Sequence, residues 1–204
     1  MLAGLYAITS PCERLPQQVS AAIAGGARVI QYRDKGDDAA LRLKEARQLN
    51  AICHSADVPL IINDDIELAQ RVAAAGVHLG IEDAAVERAR EALGENALIG
   101  VSCYNDFARA LLAQRQGADY VAFGSFFASL TKPRAVRADL SLLQRAKQEL
   151  RIPVVAIGGI TPQNGKLLLD AGADMLAVVS ALFGEPDVEQ ASRSFVELFV
   201  EKRA

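Results

Sequence analysis

Residues 31–36 read QYRDKG and residues 60–65 read LIINDD, and these two stretches hold the side chains best suited to handling a phosphorylated ligand. In the first, Gln31, Arg33 and Lys35 alternate with Tyr32 and Asp34, and the two-residue period of a strand predicts the amide and both cations on one side. The planar fork of arginine and the point charge of lysine match phosphate oxygens. A solvated strand end, with Asp34 paired to a neighbouring cation, is the competing interpretation, but alternation of that kind is out of place in a strand covered on both faces. In the second stretch an apolar run ends in Asn63, Asp64 and Asp65. Asp65 precedes IELAQRVAAA and fits a helix N-cap. Asp64, together with Asp83 of GIEDA, offers two carboxylates, a set that suits Mg2+ held jointly with substrate phosphates and water. Asp83 also precedes a helical stretch, so its position suits a cap equally well. An acid/base pair for a sugar-phosphate epimerase or isomerase is open to the same two acids.

Further along, AIGGIT (156–161) and VVS (178–180) each end an apolar run just before a helix. Glycines let main-chain amides approach an anion, and the positive end of a short helix favours it. Tight packing at a corner would also account for the glycine pair. Ser102 closes ALIGVS and is placed to donate one hydrogen bond, whereas His78, inside a strand, reads as a core or rim histidine and Cys103 as packing. The segment GSFFASLTKPRAVRAD (124–139) has no regular apolar period and carries Ser129, Thr131, Lys132, Arg134 and Arg137. A connection of that length in a compact domain predicts a lid or binding loop, with a solvated surface loop as the alternative.

The elements that must position these residues alternate along the chain. Strand-length apolar runs are expected at 4–9, 28–33, 59–63, 76–80, 97–102, 119–124, 153–159 and 174–180, with amphipathic helices among the intervening stretches 38–55, 65–75, 84–93, 106–116, 141–150 and 162–171 and a last helix at 188–202. Short apolar strands joined through helices imply parallel pairing, and eight such units imply a single-domain α/β fold, a closed (β/α)8 TIM barrel over residues 1–204, with an open doubly wound sheet as the alternative. AGGARVI, AAGVHLG, RQGADYVAFG and DAGADMLAVV repeat a helix-ending glycine before a strand. In such a barrel the reactive surface is the C-terminal rim of the strands, where Gln31, Asn63, Asp64, Ser102, Gly159 and Val179 all fall.

Composition narrows the function. Apolar residues make up 51 % and charged ones 23 %, an ordinary globular balance. A net charge of −3 provides no sequence-wide field for nucleic acid. Cys12, Cys53 and Cys103 are odd in number and lack metal-like spacing, which points to a reduced, cytoplasmic setting. The apolar stretch 2–8 is too short for a secretory core or a membrane span.

In their order and strand-end placement, LYAIT, QYRDK, INDD, GVHLG with ED, IGVS, ADYVAFG, TK, PVVAIGGIT and AVVSAL resemble thiamine phosphate synthases over nearly the whole chain. The resemblance implies a TIM barrel that joins hydroxymethylpyrimidine diphosphate to a thiazole phosphate, assisted by Mg2+, with release of pyrophosphate. It implies Gln31 on the pyrimidine, Arg33, Lys35 and Asn63 on the diphosphate, and Asp64 and Asp83 on the metal. Lys132, Thr131 and Ser102 would meet the leaving pyrophosphate, and Ser129, Gly159, Val179 and Ser180 the thiazole phosphate. The chain departs from the family pattern at Ser125 and Ala128, where proline is usual, at Ser129 for threonine, at Ile81 for glutamine and at Asp34 for glutamate. A paralogous thiazole tautomerase and a non-catalytic sensor of phosphorylated ligands are the rival readings. The retained Arg33, Lys35, Asp64, Asp83 and Lys132 favour the synthase.

Overall fold

Each of the apolar runs forms a short parallel strand in the computed structural model, which describes residues 2–80, 86–128 and 137–201. The strands are β1 (Gly4–Ile8), β2 (Val29–Tyr32), β3 (Leu60–Asn63), β4 (Gly76–Leu79), β5 (Leu98–Tyr104), β6 (Tyr120–Phe123), β7 (Val154–Ile157) and β8 (Met175–Val178). They pair in sequence order, and β8 returns to β1 through Gly4↔Met175 to Ala7↔Val178, which closes the barrel and excludes the open sheet. The connecting helices are α1 (Leu15–Ala24), α2 (Ala39–Ser55), α3 (Ile66–Val72), α4 (Val86–Leu93), α5 (Phe107–Arg115), α6 (Leu140–Glu149), α7 (Pro162–Asp170), the single-turn α8 (Ser180–Phe183) and α9 (Val188–Glu201).

Two separate apolar layers hold these elements. Tyr6, Ile8, Val29, Ile61, Tyr120, Val155 and Met175 fill the barrel, while Leu5, Ile30, Ile62, Val77, Ile99, Phe123 and Leu176 point outward onto the helices. This is the parity expected of strands buried on both faces. Helix starts are set by aspartates: Asp38, Asp65, Asp106 and Asp139 accept the amides of Leu41, Leu68, Arg109 and Ser141. Each such cap contributes about 1 kcal/mol. Asp65 thus caps α3 as its sequence position implies, and also holds Arg42 of α2 at 2.8 Å.

Some boundaries differ from the sequence expectation. β2 stops at Tyr32 rather than running to residue 33, and β7 stops before Gly158 and Gly159, whose φ values of +105° and +64° leave the extended region. β8 ends at Val178 because residues 180–183 turn into α8. β5 instead extends to Tyr104, with a shift in its register against β6 between Ser102 and Tyr104.

Candidate active site

Strand ends and their following loops enclose a cavity of about 360 Å³ at the C-terminal mouth of the barrel. Its floor and apolar wall come from Tyr6, Ile8, Ala122, Val155, Ile157 and Ala177, and its polar lining from Gln31, Arg33, Asn63, His78, Ser102, Thr161 and Ser180. Gly159 and Val179 complete one side. Seven residues expected from the sequence, Gln31, Arg33, Asn63, Ser102, Gly159, Val179 and Ser180, therefore meet in one space.

Lys35 and Asp64 sit elsewhere. Because β2 ends at Tyr32, the alternation that begins at Gln31 does not carry Lys35 into the same cavity. It lines a second, open pocket of about 280 Å³ with Asp34, Asp37, Arg42, Asp64 and Asp65, and Asn63 borders both pockets. Lys35 forms an ion pair with Asp64, which also accepts from Asn63 Nδ2 at 2.6 Å. Asp34 accepts the Gly36 amide at 2.8 Å, a local turn in place of the pairing to a cation considered above. Asp64 has φ +62°, a left-handed conformation that aspartate tolerates better than most residues. Its amide is held by the His78 carbonyl of β4 at 2.8 Å, so the turn of the backbone at the end of β3 is tied to the neighbouring strand. A carboxylate in an open, oxygen-rich pocket that adjoins the barrel cavity at Asn63 is a suitable donor for Mg2+ with water and ligand oxygens completing its shell. Asp83, the second expected metal ligand, and Ser129, Thr131 and Lys132 of the expected lid lie outside the described residues.

The rim is braced from behind. Thr9 Oγ1 accepts the Arg33 amide at 3.0 Å and fixes the end of β2. Arg109 of α5 donates from Nε to the Ser102 carbonyl and from Nη2 to the Gly80 carbonyl, both at 2.7 Å, tying the ends of β5 and β4 together. On the opposite side, Asn164 Oδ1 accepts the Thr161 amide at 2.9 Å and Asn164 Nδ2 donates to the Gly159 carbonyl at 3.0 Å, which holds the glycine loop in shape. A Cβ on Gly159 would stand 2.3 Å from the Ala128 carbonyl oxygen, so only glycine fits there. At the start of α8 the Leu182 and Phe183 amides bond back to the Val179 carbonyl, while the Ser180 and Ala181 amides precede any intrahelical acceptor and are the donors beside Val179.

Sequence reasoning gave no role to Tyr6 or Tyr120 and read His78 as a core or rim histidine, which its buried place at the cavity matches. Tyr6, His78 and Tyr120 are buried inside the barrel and joined by hydrogen bonds, and the His78 ring stacks on Tyr120 with centroids 5.6 Å apart. Burial pulls the His78 pKa down to about 4, against a smaller opposing pull from Asp64, so the imidazole is neutral at pH 7. Burial also raises both phenols well above their usual range. The inward parity of Tyr6 and His78 was the available signal. Cys103 faces the other way, into the helix layer, where burial pushes its thiol up to about 12 and agrees with a packing role.

Comparison with known proteins agrees with this architecture. The family model described as thiamine monophosphate synthase matches residues 5–182. A thiamine-phosphate synthase of Thiobacillus denitrificans is 52 % identical over 199 residues, covering 96 % of this chain and 94 % of the relative. One from Nitrosococcus oceani is 48 % identical over 200 residues, covering 96 % and 92 %. Among solved structures, thiamine phosphate pyrophosphorylase from Pyrococcus furiosus superposes with a TM-score of 0.89 at 34 % identity, covering 99 % of this chain and 98 % of that one. With a family match that runs from β1 into α8, and about half of all residues shared with full-length relatives, this chain belongs to the thiamine monophosphate synthase family.

Proposed function

We propose that the protein is a thiamine phosphate synthase, a transferase of thiamine biosynthesis that condenses 4-amino-5-hydroxymethyl-2-methylpyrimidine diphosphate with 4-methyl-5-(2-hydroxyethyl)thiazole phosphate, or its carboxylated form, and releases pyrophosphate. The observation that carries this reading is a pair of adjacent pockets bordered in common by Asn63. One is a mostly apolar cavity able to hold two small rings, and the other is an open pocket of charged groups that shares Asn63 with it. Small phosphorylated molecules are the partners, and the free cysteines agree with a cytoplasmic setting. Among the described residues no helix is long and apolar enough to cross a membrane.

In this reading the C–O bond between the pyrimidine methylene and the diphosphate breaks heterolytically, and the electron pair leaves with pyrophosphate. The thiazole nitrogen then gives its lone pair to the resulting pyrimidine-methyl cation, forming the C–N bond of the thiazolium. No side-chain nucleophile is required, and no proton must be abstracted; with the carboxylated thiazole, the carboxyl group leaves as CO2 after the C–N bond forms, and the vacated ring carbon takes up a proton from water. Gln31 orients the pyrimidine. Arg33, Lys35 and Asn63 hold the diphosphate and stabilise the charge that grows on it as the bond opens, a form of catalysis that depends on donors fixed in advance. Ser102 supplies a further donor, with Lys132 and Thr131 joining from the loop. Gly159, Val179 and Ser180, with Ser129, hold the thiazole phosphate through backbone amides and hydroxyls. The apolar wall of Ile8, Ala122, Val155, Ile157 and Ala177 keeps water from a cation that water would quench. Asp64 and Asp83 are the residues that would hold Mg2+, which when bound adds electrostatic stabilisation to the leaving diphosphate.

The deciding experiment is thiamine phosphate formation by the purified protein from the two phosphorylated halves, with Mg2+ and again with excess chelator. Product that disappears on chelation supports the synthase. Folded protein that forms none in either condition would overturn it in favour of a tautomerase or a sensor.

A further inference from the structure

A chain of hydrogen bonds crosses the inside of the barrel from one wall of the cavity to the other. Gln31 Nε2 donates to Tyr6 Oη at 2.8 Å, Tyr6 Oη meets Tyr120 Oη at 2.7 Å, Tyr120 Oη meets His78 Nδ1 at 3.2 Å, and His78 Nε2 meets Ser102 Oγ at 2.9 Å. The five residues come from β2, β1, β6, β4 and β5, and the four besides Ser102 are 7 % exposed or less. Parallel register brings them together. His78 on β4 pairs with Gly100 on β5, and Gly100 pairs with Tyr120 on β6. Gly100 has no side chain to separate its neighbours, and a Cβ there would stand 2.0 Å from Tyr120 Cζ. The tyrosine ring occupies that space and reaches His78 across the intervening strand.

Every link in this chain except the first is a group that either gives or takes a proton according to what its neighbour does. If Tyr6 gives its proton to Tyr120, Tyr120 gives its own to His78 Nδ1. The neutral imidazole then carries its proton on Nε2 and gives it to Ser102 Oγ, and the Ser102 proton is left for the cavity. At the other end Tyr6 has only lone pairs to offer Gln31, which must present its NH2 to Tyr6 and its Oε1 to the cavity. In the opposite polarity Tyr6 would donate to Gln31 Oε1, and Ser102 would face the cavity as an acceptor beside Arg33 and Asn63, where anion oxygens are to be bound. The Gln31 orientation in the structure matches the first polarity.

We propose that Gln31, Tyr6, Tyr120, His78 and Ser102 form one polarised unit that reads an amino group on a heterocycle at the Gln31 end and, because of that polarity, presents a hydroxyl donor to the leaving anion at the Ser102 end. Tyr6, Tyr120 and His78 are positioning residues in this unit. A ring that bears an oxo group in place of the amino group would favour turning the Gln31 amide round, reverse the chain and withdraw the Ser102 proton, so the chain couples substrate identity to bond breaking. The identity of the heterocycle rests on the synthase reading above. The polarity of the chain does not.

The protein has two histidines, His54 and His78, so nitrogen-15 NMR on histidine-labelled protein, with His54→Gln to assign the signals, reads the His78 tautomer directly in the ligand-free state. The expected result is Nε2–H. An Nδ1–H tautomer or a protonated ring at pH 7 would overturn the proposal, even in a protein that makes thiamine phosphate. Conversely, an Nε2–H ring in a protein that makes no thiamine phosphate would leave the chain standing and remove the synthase reading. Tyr120→Phe cuts the chain while leaving both ends in place. It should lower kcat by about tenfold, the size of one hydrogen bond to a charged group, and reduce the preference for the 4-amino over the 4-oxo pyrimidine diphosphate by a similar factor, with KM for the thiazole phosphate unchanged. An amino-to-oxo preference equal to wild type would sink the coupling. If the variant fails to fold, the wild-type tautomer still decides.

Discussion

The Lys35 ammonium is bonded to the Asp64 carboxylate at the lip of the open pocket, so a residue assigned to the diphosphate and a residue assigned to the metal occupy one another. Their side chains are 59 % and 28 % exposed. A pair so open to water adds no more than about 1 kcal/mol to stability, so its importance lies in what each partner exchanges for the other when ligands arrive.

Asp64→Ala should therefore leave circular dichroism and thermal stability close to wild type while lowering kcat/KM by roughly 100-fold or more, the scale of a lost electrostatic contact in a transition state. Lys35→Ala removes the competing ammonium and should tighten Mg2+ binding to the substrate-free protein, measured by calorimetry, although it lowers turnover. Loss of folded signal in Asp64→Ala, or weaker Mg2+ binding in Lys35→Ala, would show that the pair is structural.

How far such assignments reach from the sequence depends on what kind of information each needs. Strand positions were legible because each apolar run is short and bounded by glycine or a polar rim, and closure followed from their number. Helix α1 was harder to see, since LPQQVSAAIA carries no charged side chain to mark its outer face, and α8 is a single turn. Gln31, Asn63 and Ser102 were found by their places at strand ends. The alternation of Gln31, Arg33 and Lys35 did not carry Lys35 into the barrel cavity, because pairing to β3 ends at Tyr32. The Gln31-to-Ser102 chain was out of reach, because it depends on register across β4, β5 and β6, and no local pattern fixes which residue of one strand lies beside which of the next.

His78 makes stability depend on pH. Its folded-state pKa of about 4 lies below the usual 6.5, so between those values the unfolded chain binds the proton and the folded one does not. Stability from this group is fully present above pH 6.5 and is lost as pH falls toward 4, by about 3 kcal/mol in all. The urea midpoint of the wild type should fall over that window more steeply than that of His78→Gln, which has no imidazole to protonate. Parallel curves for the two proteins would contradict the burial argument.

Arg109 offers a test of the support behind the rim. Its guanidinium is the donor to both the Ser102 and Gly80 carbonyls, and hydrogen bonds to charged groups contribute about 1.5–3 kcal/mol. Arg109→Lys keeps the charge but cannot span both acceptors in the same planar geometry. It should lower the melting temperature modestly and reduce kcat by about tenfold, because Ser102 and Gly80, at the ends of β5 and β4, lose a shared anchor. Normal kcat with a lowered melting temperature would confine Arg109 to stability.

Gly100 carries the most demanding prediction, because it lines neither of the two pockets described, yet its missing side chain gives Tyr120 its place. Gly100 has an ordinary backbone conformation, so the effect of Gly100→Ala is steric and involves no strained φ. The new methyl would overlap Tyr120 Cζ and Oη at 2.0 and 2.4 Å, and overpacking of this kind costs about 1–3 kcal/mol. If the ring moves to make room, Tyr120 Oη must leave His78 Nδ1, which it reaches at only 3.2 Å, and Nδ1 loses the donor that selects the Nε2–H tautomer. The variant should show a lowered urea midpoint together with a mixed His78 tautomer by nitrogen-15 NMR. Gly100→Ala combined with Tyr120→Phe should recover little of the stability, since a phenyl ring keeps the Cζ and Cε2 that clash at 2.0 and 2.4 Å, and should not recover the tautomer. Stability lost with the tautomer unchanged would mean that the barrel absorbs the methyl by shifting β5, and that the hydrogen-bonded chain does not depend on the gap at Gly100.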